Sequence, residues 1–231
     1  LASLFIGFGV IVAFKTGNFF YAEHSPLAYP MAALTFGVAI ILIYYGGGDL
    51  FTGDTFYYTY AAIRKKMEWR DVGMLWLYSY IGNLLGAILF ALLINATGLF
   101  KDPSVNGFLI SVAQAKTEVS TYELFFRGIL CNWLVCLAFF LPYNAKGDGP
   151  KMFIMVFLVF CFFISGYEHS IANFVTFSIS IATEHPDAVT MSGIIHNIIP
   201  VTIGNLIGGT LFMAFMYNYL NKPFMIQEEE K

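Results

Sequence analysis

The sequence predicts an all-α integral membrane protein: six transmembrane helices in a 3+3 inverted repeat, with the second and fifth helices broken. Three observations carry the prediction. Of 231 residues, 58% are hydrophobic and only 12% charged, against about 25% charged in an ordinary soluble domain. Six apolar runs reach the roughly 20 residues that cross a bilayer. Two motifs also recur in the second half of the chain at a nearly constant spacing.

The first run, 1–22, begins at Leu1 without the basic flank or cleavage site of a signal peptide, so it reads as a helix with an upstream segment expected before it. The second, 28–63, is too long for one span. It contains Gly46-Gly47-Gly48-Asp49 and Thr52-Gly53-Asp54, which no undisturbed lipid-facing helix would hold. The third, 71–100, carries Gly82 and Gly86, a close-packing spacing. A polar stretch reads as an outer loop before the fourth run, 120–142. The fifth, 152–182, is interrupted at Ser165-Gly166-Tyr167-Glu168-His169, which sets two ionisable groups near the expected midplane. The sixth, 192–220, repeats the close-packing spacing at Gly204 and Gly208. The whole of 1–231 reads as one transmembrane domain with halves near 1–105 and 106–231.

Asp49 in Gly48-Asp49-Leu50-Phe51-Thr52-Gly53-Asp54 aligns with Glu168 in Tyr167-Glu168-His169-Ser170-Ile171-Ala172-Asn173, an offset of 119 residues. Ile81-Gly82-Asn83-Leu84-Leu85-Gly86 returns as Ile203-Gly204-Asn205-Leu206-Ile207-Gly208, an offset of 122. Three spans per half is an odd number, so the halves enter the membrane from opposite sides, and paired broken helices then mark a substrate path. Arg64, Lys65, Lys66 and Arg70, with Lys146, Lys151, Lys222 and Lys231, fall on one side and predict cytoplasmic termini. Lys101 and Lys116 lie on the other side, against the rule.

A net charge of −3 without a basic stripe excludes nucleic acid as the partner. Cys131, Cys136 and Cys161 sit in apolar runs and read as core residues. His169 is the His within a span, since His24 and His185 belong to loops and His196 begins the last run. With no second ligand at metal-binding spacing, it gives no metal site. Glu168 needs a cation or several donors, for which Lys116, Asn173 and Asn205 are candidates. Two other functions stay open at this point. An intramembrane serine protease would use Ser165 with His169 or His196, although Phe163 stands where a Gly-x-Ser pattern needs glycine. A neutral-solute channel of the aquaporin kind would need paired Asn-Pro-Ala motifs, which the sequence lacks.

Four stretches resemble the formate/nitrite transporter family: Asp49-Leu50-Phe51-Thr52-Gly53, Cys131-Asn132-Trp133-Leu134-Val135-Cys136-Leu137-Ala138, Ser165 to Asn173, and Ile199-Pro200-Val201-Thr202-Ile203-Gly204-Asn205-Leu206-Ile207-Gly208-Gly209. The resemblance implies a homopentamer of aquaporin-like protomers, each with its own pore, in the bacterial inner membrane. It implies passage of small monovalent anions (formate, nitrite, hydrosulfide), passively or linked to protons through a central His, without a cofactor. By family position His169 and Thr52 face each other at the pore centre, with Asn132 lining nearby. Leu50 and Phe162 are expected to form a cytoplasmic-side constriction, Phe36 and Ile40 a periplasmic-side one, and Lys116, Glu168, Asn173 and Asn205 a polar network. Asp54 departs from the family's usual residue. The Cys131-Asn132-Trp133 and Thr52-Gly53 segments lean towards the nitrite and hydrosulfide branches, with hydrosulfide slightly ahead.

Overall fold

A computed structural model describes residues 1–183 and 189–221, all of the regular structure there being helical. His185, Lys222 and Lys231 lie outside the described residues. The first span is α1 (Ala2–Ala22). The second is α2 (Ala28–Phe36) and α3 (Val38–Gly46), joined at Gly37 with little change of course, then α4 (Phe51–Ile63) after the break. The third is α5 (Trp69–Ala96). Beyond α6 (Pro103–Glu118), the fourth is α7 (Thr121–Phe140), closed by a 3-10 turn at Leu141–Asn144. The fifth is α8 (Asp148–Ile164) and α9 (Ser170–Ala182), and the sixth is α10 (Met191–Ile207), which widens into a π-helix over Gly208–Phe215.

The two breaks share one backbone design. Gly47 and Gly166, 119 residues apart, both take left-handed conformations, with φ of 65° and 70°. In each, the amide one residue later closes the preceding helix, Gly48 N–H donating to Ile43 O at 3.0 Å and Tyr167 N–H to Phe162 O at 3.1 Å. The next helices begin from extended residues with nearly equal dihedrals, Leu50 (φ −115°, ψ 114°) and His169 (φ −113°, ψ 112°). Neither glycine has a heavy atom within 4 Å of where a Cβ would sit. Gly47→Ala or Gly166→Ala should therefore cost only the backbone strain, about 1 kcal/mol. In detergent that would read as a melting midpoint lower by about 2–4 °C.

The halves interlock. α5 packs against α9 of the opposite half, and the π-helical end of the last span packs against α4. Gly128, Gly204 and Gly208 bring α7 and α10 together: a Cβ on Gly204 would meet Ile129 N at 3.0 Å, and one on Gly208 would meet Asn132 Cβ at 3.1 Å. The first-half spacing is used only in part, since Gly86 faces Ser3 while Gly82 faces open space. Cys131 and Cys136 are buried and Cys161 partly so.

The expected outer loop at 101–119 is instead mostly helix. Asp102 caps α6 by accepting the Ser104 N–H at 2.8 Å, and Pro103 occupies its first turn. Phe108, Leu109 and Ala113 supply a buried stripe on a segment too polar to register as a span. The Asp-Pro start and the apolar spacing were the signals available in the sequence.

Candidate functional site

α8 runs antiparallel to α2–α3 along a shared seam. The partners along it are Tyr29 with Phe163, Phe36 with Phe162, Gly37 with Val156 and Tyr45 with Asp148. Depth along this seam decides which apolar residues meet. The Phe36 and Phe162 rings stand edge to face, 6.1 Å between centroids, so Phe162 pairs with Phe36 and not, as expected, with Leu50. An antiparallel partner puts the last turn of α8 beside α2, not beside the end of α3.

Three spaces lie along the seam. A vestibule of about 410 Å³ is lined by Ile43, Asp49, Leu50, Asp54, Tyr57 and Tyr143 among others. A chamber of about 20 Å³ follows, bounded by Leu50, Ile40, Ile43, Phe36, Phe162 and His169. A pocket of about 30 Å³ contains Tyr29, Lys116, Phe36, Phe162 and His169. Leu50 and Ile43 are shared by vestibule and chamber, and Phe36, Phe162, His169 and Ala172 by chamber and pocket, so these residues form the partitions, the Phe36 and Phe162 rings being the large apolar parts of the second. Ile40 lines the chamber wall between them. Ile43 was missed, since its apolar run offered no feature to separate it from its neighbours.

Two half-helix N-termini meet at the chamber. Thr52, in the first turn of α4, has its Oγ1 2.9 Å from Nε2 of His169, the N-cap of α9, and both are buried. His169 Nδ1 accepts the Ala172 backbone N–H at 3.0 Å. That bond assigns the tautomer: Nδ1 bears no proton, so a neutral ring carries its proton on Nε2 and donates to Thr52. A second proton would have to displace the cap at Ala172. His169 is the one side chain with a polar group around the chamber; the others there are hydrocarbon.

Asn132 does not line these three spaces. It is fully buried, and its Nδ2 lies 3.1 Å from Thr52 O, 2.6 Å from Asn205 O and 2.9 Å from Thr55 Oγ1, which makes it a clamp on the two repeats. Two further asparagines hold the breaks in matching fashion. Asn83 accepts the Phe51 N–H and donates to Asp49 O, each at 3.0 Å. Asn205 accepts the Ser170 N–H at 2.9 Å and donates to Glu168 O at 3.0 Å and Gly128 O at 2.8 Å. These bonds satisfy backbone groups that a broken helix leaves orphaned in an apolar setting.

The expected polar network is assembled around Glu168, which is 3% exposed. Lys116 Nζ, from the last turn of α6, donates to Glu168 Oε2 at 2.8 Å, and Asn173 Nδ2 donates to the same oxygen at 2.6 Å. Asn197 was missed; its Oδ1 lies 2.8 Å from Asn173 Nδ2 and its own Nδ2 donates to Lys116 O at 2.9 Å. Asp54, buried at the vestibule, accepts from Ser79 Oγ at 2.5 Å.

Among the described residues, neither His169 nor His196 has a serine partner. His169 bonds Thr52 and the Ala172 amide, and His196 Nε2 lies 2.9 Å from Val119 O. Among the described residues no group of three His, Cys, Asp or Glu side chains is placed to hold a metal ion.

The model of the formate/nitrite transporter family matches residues 1–219. The chain is 62% identical over 221 residues to the Bacillus subtilis (strain 168) protein named uncharacterized transporter YwcJ, covering 96% of this chain and 86% of that one. It is 36% identical to the nitrite transporter NirC of Escherichia coli (strain K12), covering 95% and 80%. Among solved structures, an FNT family ion channel superposes with a TM-score of 0.88 at 35% identity, covering 95% of this chain and 87% of that one. A pentameric formate channel with formate bound gives 0.77 at 26% identity, covering 95% of each.

Proposed function

Because the chain belongs to the formate/nitrite transporter family, and so is a channel or transporter and not an enzyme, we propose that each protomer passes small monovalent anions through its own central chamber. The observation that carries the reading is the Thr52–His169 contact at 2.9 Å, the polar centre of an otherwise apolar chamber of about 20 Å³. A hydrated cation is excluded there, because nothing in the chamber wall replaces its water. An anion faces a smaller barrier. Lys116 and the half-helix N-termini favour negative charge on the approach, and the His169–Thr52 pair supplies a donor at the point of least hydration.

A weak-acid anion crosses more cheaply with a proton attached, since the neutral acid avoids most of the desolvation cost. A neutral His169 has one proton, on Nε2, so proton linkage through it takes a second proton from water onto Nδ1 at the expense of the Ala172 cap; the ring then passes its Nε2 proton to the anion and is neutral again. Hydrosulfide stands slightly ahead of nitrite and formate on size: one heavy atom and weak hydration suit a chamber of about 20 Å³ with one polar side chain. Nitrite is the second reading, favoured by the 36% identity to a nitrite transporter. The protein works as a homopentamer in the bacterial inner membrane with both termini cytoplasmic. The pentameric formate channel supports the assembly by analogy, and the basic residues Arg64, Lys65, Lys66 and Arg70 support the orientation.

Side-by-side flux of hydrosulfide, nitrite and formate into proteoliposomes tests the reading. Absence of all three fluxes would overturn it, and hydrosulfide passing no faster than the other two would remove its lead. Phe162→Ala opens the partition with Phe36 and should admit anions one or two heavy atoms larger than formate or nitrite, such as acetate or propionate, at several times the wild-type rate. A lower yield with unchanged selectivity would mean that Phe162 only packs.

A further inference from the structure

The seam-facing side of α2–α3 carries Tyr29, Phe36, Ile40 and Ile43, spaced seven, four and three residues apart and therefore on one helix face. Three of the four are apolar and form the partitions and wall. Tyr29 lies beyond the Phe36–Phe162 partition, in the small pocket that also contains Lys116. Its ring rests on Phe163, 5.3 Å between centroids, which holds its direction. Its hydroxyl has no hydrogen-bond partner among the described residues. Lys116 donates to Glu168, and an ammonium has two further N–H groups to offer.

The opposite end is built differently. The position 119 residues on from Tyr29 is Asp148, an exposed carboxylate that accepts from the Tyr45 hydroxyl at 3.0 Å. The large vestibule at that end carries Asp49 and Asp54 and no basic residue among its described lining residues. The Tyr29 end thus sets a hydroxyl beside a cation, whereas the vestibule's Tyr44, Tyr57, Tyr58 and Tyr143 share their space with the carboxylates Asp49 and Asp54.

We propose that Tyr29 is a specificity-determining residue: beside Lys116 its hydroxyl donates to an oxygen of a small oxyanion, a carboxylate or a nitrogen oxyanion, before the anion meets Phe36 and Phe162. The inference rests on the anion-channel reading above and adds to it a filter between oxyanions and hydrosulfide. A charged oxygen is a strong acceptor for an O–H donor, whereas sulfur accepts weakly. Tyr29 therefore assists formate and nitrite and leaves hydrosulfide nearly unaffected. A pocket of about 30 Å³ has room for about one water-sized group, so an anion entering it exchanges water for these donors.

The test is concentration-dependent flux of formate, nitrite and hydrosulfide in proteoliposomes carrying the wild type or Tyr29→Phe, which keeps the ring and its contact with Phe163. Half-saturating formate and nitrite should rise about five- to tenfold, the loss of one hydrogen bond to a charged acceptor that water partly replaces. Maximal rates and hydrosulfide flux should stay within about twofold. No change, or an equal fall for all three anions, would overturn the inference while leaving the channel reading intact. Phe163→Leu is the packing control: it should move the three anions alike, and an oxyanion-selective loss there would overturn the role of the hydroxyl. A wild type that passes none of the anions would overturn the channel reading and this inference together.

Discussion

Lys116→Met should be among the most destabilising single substitutions in the protein. It removes the cation 2.8 Å from Glu168 and leaves a carboxylate that is 3% exposed with the Asn173 amide as its remaining side-chain donor. Stranding one partner of a buried ion pair costs about 3–5 kcal/mol, a large part of the stability of an ordinary domain. The effect should appear as loss of folded protein in detergent and a melting midpoint lower by about 6–20 °C. The double variant Lys116→Met with Glu168→Gln should recover most of it, because the uncompensated charge is gone while Asn173 still has an oxygen to bond. Equal instability of the single and double variants would mean that Lys116 acts by packing, not by neutralising Glu168.

His169 replacements should have the largest effect on transport at the least cost to folding. His169→Asn keeps an oxygen able to accept the Ala172 N–H, and Asn is among the best N-cap residues. It loses the Nε2 donor that reaches Thr52 at 2.9 Å. Anion flux should fall at least tenfold, the scale of one hydrogen bond to a charged group in an apolar site, and its pH profile should change. His169→Phe should lose the same flux and in addition about 1 kcal/mol of stability with the cap. Flux and pH profile unchanged in both variants would reduce His169 to a helix cap.

Asparagine serves this chain more as a fastener than as a pore lining. Asn83 and Asn205 each bond across a break, and Asn132 reaches the Thr52 and Asn205 carbonyls from α7. Asn83 and Asn205 span places where backbone groups lack helical partners and lipid offers none, while Asn132 ties carbonyls that lie within α4 and α10. The left-handed glycines give the chain its turn, and the asparagines hold the turned segment in place.

The sequence by itself determined the six apolar spans, the two breaks and their repeat. These follow from short-range rules: a run of some 20 apolar residues, or a glycine cluster with an acid inside one, has few alternative readings in a membrane. It determined Glu168 as a charge needing compensation and named Lys116 and Asn173 among its partners, because a buried carboxylate tolerates few neighbours; Asn205, named with them, bonds the Glu168 backbone carbonyl instead. It did not yield α6, whose polar composition hid a helix stabilised by tertiary burial of Phe108, Leu109 and Ala113. It did not pair Phe162 with Phe36, nor turn Asn132 from a lining residue into a clamp. Those facts depend on the antiparallel course of α8 along α2–α3 and on the glycine-mediated approach of α7 to α10. Both are contacts between segments far apart in the chain, and local pattern carries no information about depth or register across such a seam. The tertiary structure alone decided them.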